Sequence, residues 1–280
     1  MIRTATQLKA LVKNKSGSDS NKAQTIIRCY MMERLLERIA LSKYSRNFVL
    51  KGGFLIASIV GLDTRTTMDI DGTVKNLPLT IDTAQDMIEE IISIPLDDNT
   101  VFSIKSIGDI MDESEYGGIR ISLEAQLESM RTSLKVDIST GDVITPREIS
   151  HQHKLMFEDR SISVLAYNME TILAEKLETV ISRGASNTRM RDFYDLYILT
   201  GGEFQPVDDT VFKAAVEATS KKRDSAELFE DGRTTLDEVH TSTEMQDHWR
   251  KYQNKYEYAK EILWDEVLTS IRNLFEKATS

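Results

Sequence analysis

The chain has 280 residues, of which 40% are hydrophobic and 29% charged, and its formal net charge is −10. This composition excludes a disordered or fibrous chain and is typical of a packed globular protein, and the length favours two domains. The negative charge disfavours non-specific binding to nucleic acid, because a polyanion is repelled unless basic groups are concentrated on one face.

The sequence also disfavours a protein stabilised by disulfides or cysteine-bound zinc and a secreted or membrane-spanning protein. Cys29 is the single cysteine, so neither an internal disulfide nor a cysteine-based zinc site can form. The first residues lack the apolar run of a signal peptide, and no window approaches the roughly 18 apolar residues that a membrane span needs. We therefore expect a cytoplasmic protein.

The first half of the chain alternates helix-like and strand-like segments. Apolar residues recur at a spacing of three to four over residues 21–40, which predicts an amphipathic helix. An apolar run from Phe48 leads into a glycine pair, after which residues 54–60 are compatible with a helix. Residues 66–74 alternate polar and apolar side chains with the period of a strand. The elements predicted next are a helix over 83–92 and strands over 100–107, 118–127 and 133–139.

From about residue 168 the pattern becomes almost entirely helical. The order of elements before that point implies a mixed sheet covered by helices. We therefore predict an α+β fold with an N-terminal domain over residues 1–160, which includes the leading helix, and a C-terminal helical domain over residues 161–280.

The sharpest chemical feature is the pair Asp69 and Asp71. Residues two apart in a strand project from the same face, which places the two about 6–7 Å apart at the backbone. Like charges this close are unfavourable without a counterion, and Mg²⁺ is held by one or two carboxylates together with substrate phosphates and water. By itself such a pair is more typical of a solvent-facing strand edge that carries two charges.

A glycine pair, Gly52 and Gly53, opens a helix shortly before this strand. Glycine lets the backbone approach a ligand closely, and a helix N-terminus presents free N–H groups and a positive dipole end to phosphate. An ordinary turn from strand to helix would use the same residues. Together with the carboxylates, the glycine pair begins to describe a site for phosphate and metal.

Asp137 is a third candidate carboxylate, in an apolar predicted strand where an unpaired charge is unfavourable to bury. It could complete a two-metal cluster with Asp69 and Asp71, in which one ion activates the attacking oxygen and the other neutralises the triphosphate and its leaving pyrophosphate. A cap at the strand end or a partner for an arginine is an equal alternative.

The helical half contributes a second group of charged residues. Asp192 and Asp195 are three apart and share a helix face. Lys176 and nearby arginines such as Arg191 are suited to binding a triphosphate beside a carboxylate metal site. The alternative is that Lys176 and Arg191 form salt bridges with the two aspartates.

His151 and His153 are spaced like a pair of metal ligands. They lie, however, in a polar segment that precedes the change to helical pattern. We predict a solvated loop for this segment rather than a metal site.

Five motifs follow one another along the chain: Lys51-Gly-Gly-Phe-Leu, Arg65-Thr-Thr-Met-Asp-Ile-Asp71, Lys135-Val-Asp-Ile-Ser-Thr-Gly-Asp142, Leu173-Ala-Glu-Lys-Leu177 and Arg191-Asp-Phe-Tyr-Asp-Leu-Tyr197. In this order they resemble the AbiEii toxin family. The resemblance extends over essentially the whole chain. It implies the polymerase β-like nucleotidyltransferase fold and a role as the toxin of a type IV toxin–antitoxin, abortive-infection system of bacteria.

The resemblance also implies roles for residues at the matching positions. The implied metal ligands are Asp69, Asp71 and Asp137, and the implied catalytic residues are these three with Lys176, Asp192 and Asp195. The implied nucleotide-binding residues are Lys51, Gly52, Gly53, Thr67, Lys176 and Arg191. Which of Asp192 and Asp195 is essential stays open. The Gly-Gly pair departs from the Gly-Ser of the wider superfamily, which leaves the generic nucleotide contacts open as well.

The resemblance further implies Mg²⁺ or Mn²⁺ as cofactor, a nucleoside triphosphate such as GTP as substrate, and a tRNA 3′ end as acceptor. A cognate antitoxin similar to AbiEi would prevent toxicity with little direct contact. Two alternatives stay open. One is an enzyme that modifies a small molecule of the aminoglycoside type or a protein hydroxyl, and the other is a non-catalytic nucleotide-binding protein.

Overall fold

The computed structural model describes residues 1–110, 117–202, 204 and 206–280. The chain forms two compact units. The N-terminal unit consists of residues 1–142 and 149–166, and the C-terminal unit consists of residues 143–148 and 167–280. No helix in the described ranges is long and apolar enough to cross a membrane.

The N-terminal unit is built around a mixed sheet that has seven strands in the described residues. The strands are β1 (Phe48–Lys51), β2 (Ile70–Val74), β3 (Thr100–Asp109), β4 (Gly118–Leu127), β5 (Met130–Thr140), β6 (Ile149–Lys154) and β7 (Ser161–Ala166). They lie in the order β3-β4-β5-β2-β1-β7-β6. The pairs β1–β7 and β2–β5 are parallel, and the other neighbours are antiparallel.

Helices cover this sheet. The unit contains α1 (Ala5–Ser16), α2 (Ser20–Leu41), α3 (Gly52–Val60) and α4 (Ile81–Ser93). α2 begins where the Asp19 carboxylate accepts hydrogen bonds from the N–H groups of Asn21 and Lys22, which would otherwise have no partner in the first turn. Its apolar residues, such as Leu35 and Leu36, are fully buried, and the helix contacts β5 and β7.

The C-terminal unit is helical. It contains α5 (Met169–Arg183), α6 (Met190–Gly201), α7 (Asp209–Lys222), α8 (Gly232–Thr241), α9 (Thr243–Lys255) and α10 (Trp264–Thr279). Asn168 caps α5 by accepting from the Thr171 N–H, and its side-chain amide donates to the Thr145 carbonyl, so residues 143–148 are held to the start of this helix. The predicted α+β fold, with a mixed sheet flanked by helices and C-terminal helices, is confirmed.

The strand that carries the paired carboxylates is shorter than the sequence pattern predicts. β2 covers Ile70–Val74, so Asp71 lies within the strand and Asp69 lies just before it. The neighbouring strand β1 ends at Lys51, opposite Asp71, because the chain then turns into α3. Residues 66–69 therefore have no partner on the β1 side and are irregular. The prediction of a strand over 66–74 was wrong for these four residues.

The division expected between residues 160 and 161 falls within the hairpin of β6 and β7. β7 pairs with β1 on its other edge, so the hairpin belongs to the sheet. The two compact units divide after Ala166 instead, and residues 143–148 lie on the helical side.

Candidate active site

A row of four charged residues crosses the sheet and contains two of the predicted carboxylates. Lys51, Asp71, Asp137 and Arg120 lie opposite one another on β1, β2, β5 and β4. Directly paired residues project from the same face and neighbouring strands are about 4.8 Å apart, so these side chains form one row, which we call the charged row. Its order of charges is positive, negative, negative, positive. The two central carboxylates repel each other and need compensating positive charge.

Asp137 receives that compensation from its cross-strand neighbour. The Nε and Nη2 atoms of Arg120 donate to the two carboxylate oxygens of Asp137 at 2.9 and 2.7 Å. A bidentate pair of this kind is strong and fixes the orientation of both groups. Of the alternatives that the sequence left open for Asp137, the arginine partner is the one that the structure contains.

Lys51, at the other end of the charged row, is engaged outside the row. Its ammonium forms an ion pair with Asp142, which lies just after β5. Asp142 also accepts a hydrogen bond from the Ser139 hydroxyl at 2.8 Å. Lys51 was predicted to bind the nucleotide, and in this structure it ties the end of β1 to the end of β5.

Asp71 faces the first turn of α3. Its Oδ2 atom accepts a hydrogen bond from the Gly53 N–H at 3.3 Å. Gly52 has a φ of +68°, and a Cβ at this position would overlap the Asp71 carboxylate, so a residue with a side chain could not bring the helix start this close. Burial and then the charge of Asp137 raise the pKa of Asp71, although the Gly53 N–H and Lys51 act in the opposite direction.

Asp69 differs from Asp71 in that no hydrogen-bond donor of the described residues contacts its carboxylate. It is partly buried, and its carboxylate forms no hydrogen bond or ion pair with the residues that the structure describes. Burial raises the pKa of Asp69. Nearby positive side chains, Lys135 foremost, reduce this effect without cancelling it.

Asp69 and Asp71 together fit a divalent cation. Both carboxylates are disfavoured in their ionised form, and a dication would remove their repulsion and lower both pKa values. Among the described residues, no three His, Cys, Asp or Glu side chains are arranged as metal ligands. The geometry thus offers two carboxylates, and phosphates and water would supply the other ligands. Asp137 stays a predicted third ligand.

Thr67 lines the wall of the same region. It is buried, and its hydroxyl donates to the Asp69 carbonyl at 3.3 Å. A Cβ on Gly53 would lie 2.9 Å from this hydroxyl, so the second glycine of the pair allows the loop before β2 to pack against α3. The predicted contact of Thr67 with a nucleotide stays a prediction.

Lys176, Asp192 and Asp195 form an ion cluster in the C-terminal unit. The Lys176 Nζ atom lies 2.7 Å from Asp192 Oδ1 and 2.8 Å from Asp195 Oδ2. Arg189 adds a contact of 2.8 Å to Asp192. Against the effect of burial, Lys176 and Arg189 hold the pKa of Asp192 well below its ordinary range. Lys176 therefore forms the salt bridges of the alternative interpretation. Arg191 is exposed, and Arg189 is the arginine that pairs with Asp192.

His151 and His153 lie on β6, and the prediction of a solvated loop was wrong. The strand alternates inward and outward residues, and both imidazoles are on the buried face. Ser58 Oγ, on α3, lies 2.7 Å from His151 Nε2 and 2.7 Å from His153 Nδ1. His153 Nε2 lies 3.2 Å from Glu33 Oε1. These internal partners allow polar side chains to face the core, which a polar sequence segment does not reveal.

Sequence reasoning missed Arg120 and Asp142. Arg120 is a charged residue in a largely apolar strand, and the same feature indicated Asp137 as a candidate. That the two face each other depends on the register of β4 and β5, which spacing along the chain does not show. Asp142 ends the third of the five motifs, and nothing in the spacing along the chain indicates its ion pair with Lys51.

The match to a protein family identifies the class to which this site belongs. The family described as Nucleotidyl transferase AbiEii toxin, Type IV TA system matches residues 34–270. This range contains the charged row, the glycine pair and the ion cluster of the C-terminal unit. The protein is a nucleotidyltransferase, and the chain belongs to the AbiEii toxin family. The family expected from the five motifs is thereby confirmed.

Two solved structures are similar to this chain along most of its length. JHP933 from Helicobacter pylori has 16% sequence identity and a TM-score of 0.49, with 91% of this chain and 94% of that chain covered. An antigenic nucleotidyltransferase-like protein from Paracoccidioides brasiliensis has 13% identity and a TM-score of 0.36, with 88% and 92% covered. No curated protein matches the chain.

Proposed function

We propose that the protein transfers a nucleotide from a nucleoside triphosphate to the 3′ end of an RNA and thereby blocks translation and growth. The observation that carries this proposal is the pair of undercompensated carboxylates, Asp69 and Asp71, beside the glycine start of α3. Membership of a toxin family supports the cellular outcome. The donor is GTP and the acceptor is tRNA, as the family resemblance implies.

Each part of the N-terminal site has a role in this transfer. Asp69 and Asp71 hold Mg²⁺ or Mn²⁺, which when bound supplies neutralising charge to the triphosphate and to the leaving pyrophosphate. Gly52 and Gly53 let phosphate approach the N–H groups of α3. The acceptor hydroxyl oxygen forms a bond to the α-phosphorus while the bond to the α–β bridging oxygen breaks. Pyrophosphate leaves with that electron pair, and the hydroxyl proton is released to water.

The remaining predicted residues and partners belong to the same proposal. Lys176 steadies phosphates, with Asp192, Asp195 and Arg191 around it, and Lys51 and Thr67 border the nucleotide. The protein acts in the cytoplasm, where a cognate antitoxin similar to AbiEi prevents toxicity with little direct contact.

Incorporation of labelled nucleotide tests the transfer. The purified chain is incubated with Mg²⁺, with each of four α-labelled nucleoside triphosphates in turn, and with either total tRNA or a panel of aminoglycosides. We expect label in tRNA, most of it from GTP, and none in the drugs. Label in a drug and none in RNA would contradict the RNA acceptor, and label in neither would contradict the proposed transfer.

Asp71→Asn tests the role of the carboxylate. We expect incorporation to fall by about 100-fold or more, because charge stabilisation of this kind contributes on that order. The free energy of unfolding without metal at pH 7 should not fall, because an acid whose pKa is raised by folding loses stability as the pH rises through that pKa, and the amide has no such loss. Mg²⁺ should raise the melting temperature of the parent more than that of the variant.

Asp109→Asn is the matched control, since Asp109 is exposed at the end of β3. Incorporation and the Mg²⁺ response should both stay at the parental level in this variant. An Asp71→Asn variant that remains as toxic on induction as the parent would show that carboxylate chemistry is not the cause of toxicity.

A further inference from the structure

Arg28 on α2 is an arginine without a carboxylate partner in the described residues. Its Nη1 atom lies 2.8 Å from the sulfur of Met68, and its buried Nε atom has no hydrogen-bond partner. A thioether is a weak acceptor, whereas a guanidinium carries five donors and is suited to phosphate or carboxylate. Met68 directly precedes Asp69, so this guanidinium lies at the edge of the candidate active site.

Lys135 on β5 lies at the same edge. Ile70 pairs with Val136, so Lys135 directly precedes the partner of Ile70 just as Asp69 directly precedes Ile70, and Lys135 is the foremost positive charge acting on Asp69. The Lys135 side chain is exposed and shares a face of β5 with Asp137. It forms no hydrogen bond or ion pair with any residue in the described part of the chain.

These two residues differ in availability from the cations of the charged row. Lys51 is paired with Asp142, and Arg120 is paired with Asp137. Arg28 and Lys135 both act electrostatically on Asp69, but neither bonds to it. Two positive side chains from two different elements thus lie near Asp69 and keep most of their hydrogen-bond donors available for another anion.

We propose that Arg28 and Lys135 form a binding subsite for the phosphates of the nucleoside triphosphate at the Asp69 side of the active site. The subsite rests on the proposed function in that its anion is the donor nucleotide. A triphosphate brings several negative charges to two carboxylates that are already undercompensated, so metal alone would leave the site short of positive charge. The guanidinium supplies paired N–H donors, and the ammonium supplies a compact charge.

Binding of inorganic tripolyphosphate in the presence of Mg²⁺ tests this subsite without knowledge of the base. Titration calorimetry is carried out on the full chain, on Arg28→Met and Lys135→Met, which keep apolar stems of similar length, and on Arg28→Lys. We expect each Met variant to bind tripolyphosphate about tenfold to a hundredfold more weakly than the parent, which is the range for a lost charge-assisted hydrogen bond. Arg28→Lys should recover part of the loss.

Two surface variants serve as controls. Lys22→Ala removes a positive charge from α2 that pairs with Asp63, and Arg131→Ala removes an exposed one from β5 four residues before Lys135, about 13 Å along the strand. Both should bind tripolyphosphate like the parent. In incorporation assays, Arg28→Met should raise the KM for the triphosphate and leave the KM for tRNA unchanged.

Three outcomes would overturn the subsite. In the first, the parent binds tripolyphosphate and Arg28→Met binds it as tightly. In the second, the control variants lose as much affinity as the Met variants. In the third, Arg28→Met changes only the KM for tRNA, which would assign the guanidinium to binding of the acceptor. A folding defect alone would lower the melting temperature and leave the affinity of the folded fraction intact, which is the first of these three outcomes. A parent that binds tripolyphosphate through these residues yet incorporates no label would support the subsite and contradict the proposed transfer.

Discussion

Gly52 and Gly61 lie at the two ends of α3. Comparing them distinguishes the strain of a side chain at a positive φ from its overlap with Asp71. Both have a positive φ, and a Cβ on Gly52 would overlap Asp71 whereas a Cβ on Gly61 would meet nothing within 4 Å. Any side chain at either position therefore strains the backbone, and a side chain at Gly52 also displaces the carboxylate.

We expect Gly52→Ala to lower incorporation by at least about tenfold per folded molecule, since misplacement of a catalytic group by about 1 Å can lower rates about 100-fold. Gly61→Ala should lower the free energy of unfolding by about 1–3 kcal/mol through backbone strain, with activity per folded molecule retained. Urea unfolding and nucleotide incorporation measure the two quantities. Equal loss of activity in both variants would mean that helix strain, and not contact with Asp71, limits the enzyme.

At the scale of the residue, the residue types of the candidate site were easier to predict than the side chains with which they pair. The pair Asp69 and Asp71 was evident from two carboxylates in an alternating segment. The sequence did not show that these two carboxylates lack ion-pair partners, because Lys51 pairs with Asp142 and Arg120 pairs with Asp137. Residue type is a local property of the sequence, whereas the partner of a side chain depends on which distant segment folds against it.

At the scale of the element, β6 shows how an internal network changes the meaning of a polar segment. His153 Nε2 faces Glu33, so its Nδ1 is free to accept from Ser58, and the Ser58 oxygen in turn can accept from His151 Nε2. Burial, with a smaller effect from the neighbouring His153, lowers the pKa of His151 to about 4 from its ordinary 6.5. Burial therefore requires a neutral imidazole at His151 in the folded protein.

This requirement predicts acid sensitivity. The unfolded chain binds the proton first as the pH falls, so the stability from neutral His151 is complete above pH 6.5 and is lost between pH 6.5 and about 4. The loss amounts to at most about 3 kcal/mol at roughly 1.36 kcal/mol per pKa unit. Urea unfolding at several pH values should show a shallower loss in His151→Asn than in the parent.

Gln152→Ala is the control for this prediction, because Gln152 lies between the two histidines with its side chain exposed. Its free energy of unfolding should follow the parental pH dependence. If His151→Asn also follows the parental curve, His151 does not supply the acid sensitivity.

The ion cluster between α5 and α6 leads to a second prediction at this scale. Lys176→Met removes the ammonium from Asp192 and Asp195, which are 2% and 0% exposed, and should lower the free energy of unfolding by about 3–5 kcal/mol. Arg191→Ala, at an exposed position on the same helix, should change it by less than about 0.5 kcal/mol.

The triple variant Lys176→Met, Asp192→Asn, Asp195→Asn separates structure from catalysis. Neutralising both aspartates should recover much of the lost stability, because no uncompensated buried charge remains. Incorporation should stay low if Lys176 contacts phosphate as we propose. Activity that returns together with stability would assign Lys176 a structural role alone.

At the scale of the whole molecule, the end of the sheet unit can be tested with two fragments. A fragment of residues 1–166 keeps β7, which pairs with both β1 and β6, whereas a fragment of residues 1–160 lacks it. Without β7, β6 loses its partner and β1 becomes an exposed edge. We expect a cooperative urea transition, followed by circular dichroism, for the longer fragment only. A cooperative transition of equal midpoint in both would show that the boundary lies at 160.

The sequence by itself determined the family and the α+β class, and it supplied the predicted residues of the candidate site. These follow from local properties, namely the helical period of α2, the alternation around Asp71 and the order of five motifs along the chain. The tertiary structure alone decided where β2 begins and that β6 is a strand with buried histidines. It also decided which charges of the row are already paired, because strand register sets cross-strand partners and no spacing along the chain encodes it. The pairing of Arg120 with Asp137 is a consequence of that register, whereas the packing of α2 against the sheet brings Arg28 to the same region.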